Sequence, residues 1–293
     1  MRGNISRIAP GVDNGAMADQ LRYADRSERA KLRVTGPQRA WFLDQILTQS
    51  FQDMEPGEAR DAALITVHGR MTGYMEALCT PDAFLLHLEP ELGAAVAAIL
   101  QRYILSTQAE VTDVTNELGL VLIVGPDWRT AAGGAPAQAT SSLGVEAGYV
   151  WAPRAETGAV IASVEGAGGK AISEVELEAI RISHGIARWG RDMDEKTFPQ
   201  EAGVDERAVH YEKGCYLGQE AMAKIHFRGK VNRRLARLRS DAPVPPGADV
   251  LLAGATVGRV TSASDGTALA LVRYTVEPGA TVTIGEGRAE VVA

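Results

Sequence analysis

One eight-residue stretch, Lys213–Glu220, combines the side chains best suited to chemistry. It places a thiol, an ammonium group, a phenol, an amide and a carboxylate together with two glycines. Gly214 and Gly218 allow a left-handed backbone or a close approach of the chain to a ligand. Lys213 would lower the pKa of the Cys215 thiol if the two side chains converge. Alternatively, Cys215 is a small buried side chain and the glycines only form turns.

The segment that follows this stretch is strongly basic. Residues 221–240 carry seven basic residues and no acidic residue, whereas the whole chain has 30 basic and 37 acidic residues and a formal net charge of −7. The overall charge argues against a general nucleic-acid-binding protein. The basic segment predicts a patch for an anion such as phosphate, RNA or a polyglutamate tail. Alternatively it is the solvent-facing side of strands, which the alternation in Arg237-Leu238-Arg239 favours.

Length and composition predict a globular protein of two or three domains. The 293 residues exceed the usual size of one domain, and 31 glycines with 13 prolines indicate many turns and β-structure. Two cysteines are too few for a disulfide framework or a four-cysteine metal site, so we predict no metal site. No apolar stretch near Met1 indicates secretion, and the longest apolar run, Leu92–Leu100, is too short to span a bilayer. We therefore expect a cytoplasmic protein without membrane association.

The spacing of apolar residues predicts an α+β body followed by a β-barrel. In chain order we predict a strand at 33–35, a helix from Pro37 to about Gln49, a β-meander over 62–88, a helix from Pro90 to about Tyr103, strands at 111–115 and 120–124, a flexible loop at 131–143, strands at 149–151 and 159–164, and a helix that begins at the capping box of Ser173. From about Val231, short β-rich runs alternate with Pro/Gly turns, which is typical of a small β-barrel. We predict a body at 1–230 and a C-terminal barrel at 231–293.

Several of these stretches resemble a known family. Lys213–Glu220 is similar to the signature of the YgfZ-type folate-binding proteins, relatives of the glycine-cleavage T-protein. Weaker similarities lie at Gly36–Leu43, Phe227–Gly229 and Val257–Ser262, so the resemblance covers nearly the whole chain. It implies an aminomethyltransferase-like, folate-binding body of two intertwined subdomains, closed by the β-barrel. It also implies tetrahydrofolate, or another reduced folate, as the cofactor.

The resemblance implies roles for single residues. Pro199–Gly203 is similar to the T-protein segment that supplies the carboxylate for the pterin 2-amino and N3 donors, which predicts Glu201 for this role. The aminobenzoyl ring needs aromatic or apolar neighbours. The anionic glutamate tail needs cations, for which Lys224, Arg228 and Arg233 are candidates. The predicted site residues are Cys215 and Lys213 for chemistry, and Glu201, Tyr216, Gly214, Gln219, Arg228, Tyr74 and Trp189 for the cofactor.

One departure from the T-protein pattern concerns catalysis. T-proteins carry paired aspartates on the early meander, where the resemblance places Gly73 and Tyr74. Glu76 is nearby, but its offset of two or three residues along the strand changes its depth, and an odd offset also changes its face. T-protein-type aminomethyl transfer is therefore not expected, and whether the chain is an enzyme stays open.

Two functions follow from the resemblance. The favoured one is a tetrahydrofolate-binding accessory protein that supports iron–sulfur cluster assembly or repair in other enzymes, with Cys215 as the reactive group. Its partners would be iron–sulfur proteins or their assembly machinery. The alternative is a folate-dependent one-carbon transferase linked to tRNA modification. With Cys79 as the second of two cysteines, the chain has too few thiols for a conventional cluster site of its own.

Overall fold

Two five-stranded sheets and a closed barrel make up the computed structural model, which describes residues 20–229 and 231–292. The strands are β1 (Arg22–Asp25), β2 (Ala30–Thr35), β3 (Ala59–Ile65), β4 (Met71–Cys79), β5 (Phe84–Leu88), β6 (Glu110–Asp113), β7 (Leu118–Val124), β8 (Ala137–Ala139), β9 (Ala147–Pro153), β10 (Lys170–Ala171), β11 (Arg233–Ser240), β12 (Asp249–Leu252), β13 (Ala255–Ser264), β14 (Thr267–Arg273), β15 (Thr281–Ile284) and β16 (Gly287–Val292). The helices are α1 (Arg39–Ile46), α2 (Gly93–Tyr103), α3 (Trp128–Ala131), α4 (Thr157–Gly166), α5 (Glu174–Ser183), α6 (Asp205–Ala208) and α7 (Gln219–Arg228). None of these helices is long and apolar enough to cross a bilayer.

The first sheet has the strand order β3-β4-β5-β2-β6 and contains the predicted antiparallel meander. Because side chains alternate along a strand, β4 has two distinct faces. Gly73 lies against α2, where an added Cβ atom would come within 2.8 Å of Val96 Cγ2. Tyr74 and Glu76 therefore point together to the opposite face of the sheet.

The second sheet has the order β10-β1-β7-β9-β8 and packs against that opposite face. Leu78 of β4 and Leu85 of β5 share one hydrophobic cluster with Leu122 of β7 and Trp151 of β9. The chain contributes β1 to this sheet, then builds the first sheet, and returns with β7. The two subdomains are consequently intertwined, as predicted.

The C-terminal strands close into a barrel in the order β11-β14-β13-β12-β15-β16. Leu238 is completely buried in the barrel core, and its neighbour Arg239 is exposed, so this part of the basic segment is the outer side of a strand. The barrel is held to the body through buried polar groups. Arg181 of α5 donates to Asp192 Oδ2 over 2.7 Å and to Ser262 Oγ of β13 over 2.8 Å.

Two local predictions are wrong. Residues 159–164 lie in α4 instead of a strand, because Val160, Ile161 and Val164 recur at helical spacing and pack on the second sheet. The expected loop at 131–143 contains β8. The fully buried Gln138 of this strand accepts a hydrogen bond of 3.0 Å from Trp151 Nε1, and so this pairing orders the segment.

Candidate functional site

A partly open cavity with about 70 Å³ of free volume lies between the two sheets. The first sheet contributes Tyr74 and Glu76, the second contributes Tyr149, and the segment after α5 contributes Trp189 and Met193. Aromatic and apolar walls with a few convergent polar groups are typical of a site for a small organic molecule.

An arginine–glutamate network surrounds the cavity. Arg188 Nη2 and Nε lie 3.1 and 3.2 Å from the two carboxylate oxygens of Glu89, and Arg29 Nη1 lies 2.6 Å from Glu89 Oε1. Arg188 also contacts Glu174 and Glu178. Burial alone would raise the pKa of Glu89, but Arg29 and Arg188 hold it at about 2. These acids are therefore ionised and paired.

Glu76 differs from these acids because it lacks a cationic partner of this kind. The residue is 4% exposed, and Oε2 has no hydrogen-bond partner in the part of the chain that the structure describes. The nearest ring nitrogen, His87 Nε2, is 3.9 Å away. Burial, followed by the charge of Asp61, raises the pKa of Glu76 to about 8. The two-residue period of β4, which gives Tyr74 and Glu76 a common face, is the signal that identifies this residue from the sequence.

Tyr74 and Trp189, two of the three predicted aromatic residues, both line the cavity. The Tyr74 hydroxyl donates to Asp61 Oδ2 over 2.6 Å and accepts from Arg207 Nε over 2.8 Å. The phenol is thus fixed at its far end while its ring forms part of the wall. The third, Tyr216, lies elsewhere, since it is buried in the core of the first sheet.

Lys213 anchors the signature loop, which is the stretch Lys213–Glu220, to the end of α1. Its Nζ donates to the backbone oxygens of Asp44, Leu47 and Gln49 over 2.6, 2.7 and 2.7 Å. These bonds fill the three donor positions of an ammonium group and satisfy carbonyls that a helix end leaves open. Burial lowers the pKa of Lys213 to about 8. The expected activation of the Cys215 thiol by this ammonium receives no support from the geometry.

Cys215 is exposed, so the alternative of a buried cysteine is wrong; Cys79 is the buried one. The Gln219 side chain donates to the Lys213 carbonyl over 3.3 Å and closes the loop on itself, and Gly214 is exposed. The loop therefore lies at the surface of the protein, and the bonds of Lys213 hold it to the end of α1. Within residues 20–229 and 231–292, no group of three or more His, Cys, Asp or Glu side chains is arranged to hold a metal ion.

Glu201, the predicted pterin carboxylate, joins the body to the barrel. Its two oxygens accept hydrogen bonds of 3.0 Å each from Arg233 Nε and Nη2, and its carbonyl accepts from Leu235 N over 2.7 Å. The side chain is 3% exposed and is not part of the cavity wall described above. A ligand would have to displace Arg233 to reach it. Lys224 is exposed on α7, and the side chain of Arg228 lies outside the described residues.

Comparison with solved structures identifies the architecture. The chain aligns with aminomethyltransferase T of the glycine cleavage system from Bartonella henselae with a TM-score of 0.84, covering 94% of this chain and 85% of that protein at 19% identity. The chain has the aminomethyltransferase fold. Residues 232–293 match the family described as the C-terminal beta-barrel domain of CAF17. The predicted fold class is thereby confirmed.

Two relatives align over most of the chain. A chloroplastic protein of Arabidopsis thaliana, named as a transferase, is 25% identical over 97% of this chain and 71% of the relative. The human mitochondrial iron–sulfur cluster assembly factor IBA57 is 29% identical over 91% of this chain and 81% of the relative. Because these relatives are organellar, the cytoplasmic location of the chain stays a prediction. The YgfZ type within this fold, the domain boundary at residue 230 and the roles of the predicted site residues also stay predictions.

The two glycines of the signature should respond differently to substitution. Gly218 begins α7 at a φ of +81°, and a Cβ atom there would lie 2.4 Å from the Thr66 carbonyl oxygen, whereas Gly214 has no atom within 4 Å of an added Cβ. We expect Gly218→Ala to lower the free energy of unfolding by roughly 2 kcal/mol or more. Gly214→Ala should change it by less than about 0.5 kcal/mol. Urea unfolding of both variants measures the difference, and equal effects would contradict the assignment.

Proposed function

We propose that the protein binds a reduced folate in the central cavity and acts as an accessory factor in the assembly or repair of iron–sulfur clusters. One observation carries the folate part. In an aminomethyltransferase fold, the aromatic side chains of Tyr74 and Trp189 line a cavity that also contains the buried carboxyl group of Glu76, whose Oε2 has no hydrogen-bond partner among the described residues. A folate has matching parts, namely a flat pterin with adjacent N–H donors, an aromatic linker and an anionic tail.

The residues of the cavity fit these parts. Trp189 and Tyr74 provide aromatic faces for the pterin or the aminobenzoyl ring. Glu76 provides an acceptor for the 2-amino and N3 donors, a geometry that carboxylates bind with two parallel hydrogen bonds. Arg26 and Arg188, which also line the cavity, provide cations for the anionic tail. In this arrangement Glu201 keeps its bond to Arg233.

Support for the iron–sulfur part comes from the similarity to human IBA57 over 91% of the chain and from the exposed thiol of the signature. A cluster needs several thiolates or equivalent ligands. Since Cys79 is buried, Cys215 is the accessible one of the two cysteines. We infer that the cluster is cargo, and that a partner protein completes its ligand set.

A one-carbon transferase is the second candidate, and one observation favours it. Glu76 is a carboxyl group in the cavity that could orient an amine beside the folate, although Gly73 packs against α2 and offers no carboxylate. A tRNA acceptor is not part of the proposal. Arg233 and Arg234 of the basic segment are held by Glu201 and by the Val276 carbonyl. Multiple turnovers of 5,10-methylenetetrahydrofolate with an added amine would establish the transferase.

Truncation of Trp189 should weaken folate binding. Trp189 is 5% exposed and lines the cavity, whereas Trp41 is 44% exposed and is not part of its wall. Loss of an aromatic stacking surface costs about 1–3 kcal/mol, so we expect Trp189→Ala to bind 5-formyltetrahydrofolate roughly tenfold or more weakly, and Trp41→Ala to bind as wild type. Isothermal titration calorimetry measures both affinities, with circular dichroism as the check on folding. Absence of binding to the wild type would rule out the folate assignment.

The two cysteines should differ in a cellular assay. In a strain that lacks this gene, a plasmid copy of the wild type should restore the activity of a [4Fe–4S] enzyme. We expect Cys79→Ser to restore it as well, since that thiol is buried away from any partner, and Cys215→Ser to fail. Western blots of the two variants control for abundance. Full restoration by Cys215→Ser would remove the thiol from the function.

A further inference from the structure

Glu76 is the exception among the acids that line the central cavity. Glu89, Glu174 and Glu178 each form an ion pair with Arg188. Such pairs keep a buried carboxylate ionised, because the guanidinium replaces the water that burial removes. Glu76 is more deeply buried than these residues, but Oε2 lacks a hydrogen-bond partner among the residues that the structure describes.

The neighbouring cations Arg29 and Arg207 compensate a charge on Glu76 only in part, because each is paired with other groups. Arg29 is used by Glu89, at 2.6 Å, and by His87 Nδ1, which accepts from Arg29 Nε over 3.0 Å. Arg207 Nε forms an ion pair with Asp61 Oδ2 and donates a hydrogen bond to the Tyr74 hydroxyl, each over 2.8 Å. The cations near Glu76 are thus committed to other partners.

The remaining groups around Glu76 are acidic or neutral. On β3, Asp61 lies directly opposite Glu76, and on β5 the opposite residue is His87. Burial, followed by the charge of Arg29, lowers the pKa of His87 well below its usual value, so the ring is neutral. Burial also raises the pKa of Tyr149 on β9, which keeps that phenol neutral.

A carboxylate at this position would therefore be desolvated, close to the like charge of Asp61, and without a directly paired arginine or lysine among the described residues. Both effects favour the protonated form. They raise the pKa of Glu76 to about 8, and in the ligand-free protein the group is mostly neutral at pH 7. Asp61 has the hydrogen-bond partners that Glu76 Oε2 lacks: Arg207, Tyr74 and Ser141 all contact Asp61 Oδ2.

We propose that Glu76 binds the adjacent N–H donors of the pterin ring as a carboxylate and releases its proton to the solvent when the folate binds. The proposal rests on the proposed function, since it concerns the same cavity. The O–H bond of the carboxyl group breaks, the proton passes to the buffer, and two N–H···O hydrogen bonds form in its place. The N–H donors of the ligand then stabilise the negative charge of the Glu76 carboxylate, which the protein alone stabilises only in part.

Proton release makes the affinity depend on pH in one direction. Below pH 8 the free protein must lose a proton before it binds, so the dissociation constant rises roughly tenfold for each unit by which the pH falls. Above pH 8 the group is already ionised and the affinity levels off. From the value near 8, about 0.9 proton should leave per folate bound at pH 7.

Calorimetric titration of the full-length protein with 5-formyltetrahydrofolate between pH 6 and pH 9 tests this, in buffers of different ionisation enthalpy that count the protons. For the wild type we expect release of close to one proton at pH 7 and about 50-fold weaker binding at pH 6 than at pH 8. Glu76→Gln should bind more weakly at pH 8, release no proton and show a flat profile. Glu178→Gln is the matched control: it removes a paired cavity carboxylate and should keep the slope of the wild type.

The outcomes separate this inference from the proposed function. Binding to the wild type without proton release, or equal release by Glu76→Gln, would overturn the role of Glu76 and leave folate binding intact. Absence of binding at every pH would overturn both. Glu76→Asp keeps a titratable group and should retain part of the linkage, which distinguishes loss of the carboxyl group from a general disturbance of the cavity.

Discussion

The buried ion pair between Arg181 and Asp192 connects the parts of the molecule that form the cavity. Arg181 also donates to Ser262 of the barrel and to Glu178, which lines the cavity. Arg188 continues the network from Glu178 to Glu89 and Arg29. Burial of each charge costs several kcal/mol unless its partner stays in place. The barrel, α5 and the first sheet are therefore fixed relative to one another by the same bonds.

This constraint shapes the chemistry of the cavity. A network in which every guanidinium has a carboxylate partner leaves little freedom for the walls to rearrange around a ligand. Recognition of the ring system of a ligand then falls to the groups that the network does not use, namely the aromatic faces of Tyr74 and Trp189 and the carboxyl group of Glu76. Such a preformed site favours a rigid, planar ligand, because little conformational entropy is lost on either side.

Local patterns in the sequence account for much of the fold and for less of the site. The capping box at Ser173, the meander over β3 to β5 and the short strands of the barrel depend on neighbours in the sequence, and all are present. Contacts between distant residues decide the rest. Ser262 lies 81 positions from Arg181, and Arg233 lies 32 positions from Glu201. No local pattern indicates that Glu201 has a partner in the barrel, and its role toward a ligand stays a prediction.

The signature loop has two sides with different tasks. Its inner side is structural: the ammonium of Lys213 holds the end of α1, and Gly218 allows α7 to begin against the Thr66 carbonyl. Its outer side exposes Cys215. All three donors of Lys213 point inward to carbonyls, so the ammonium group serves to hold the loop while the thiol faces outward. Under the proposed function, a partner protein that binds at this exposed thiol would complete the ligand set of the cluster.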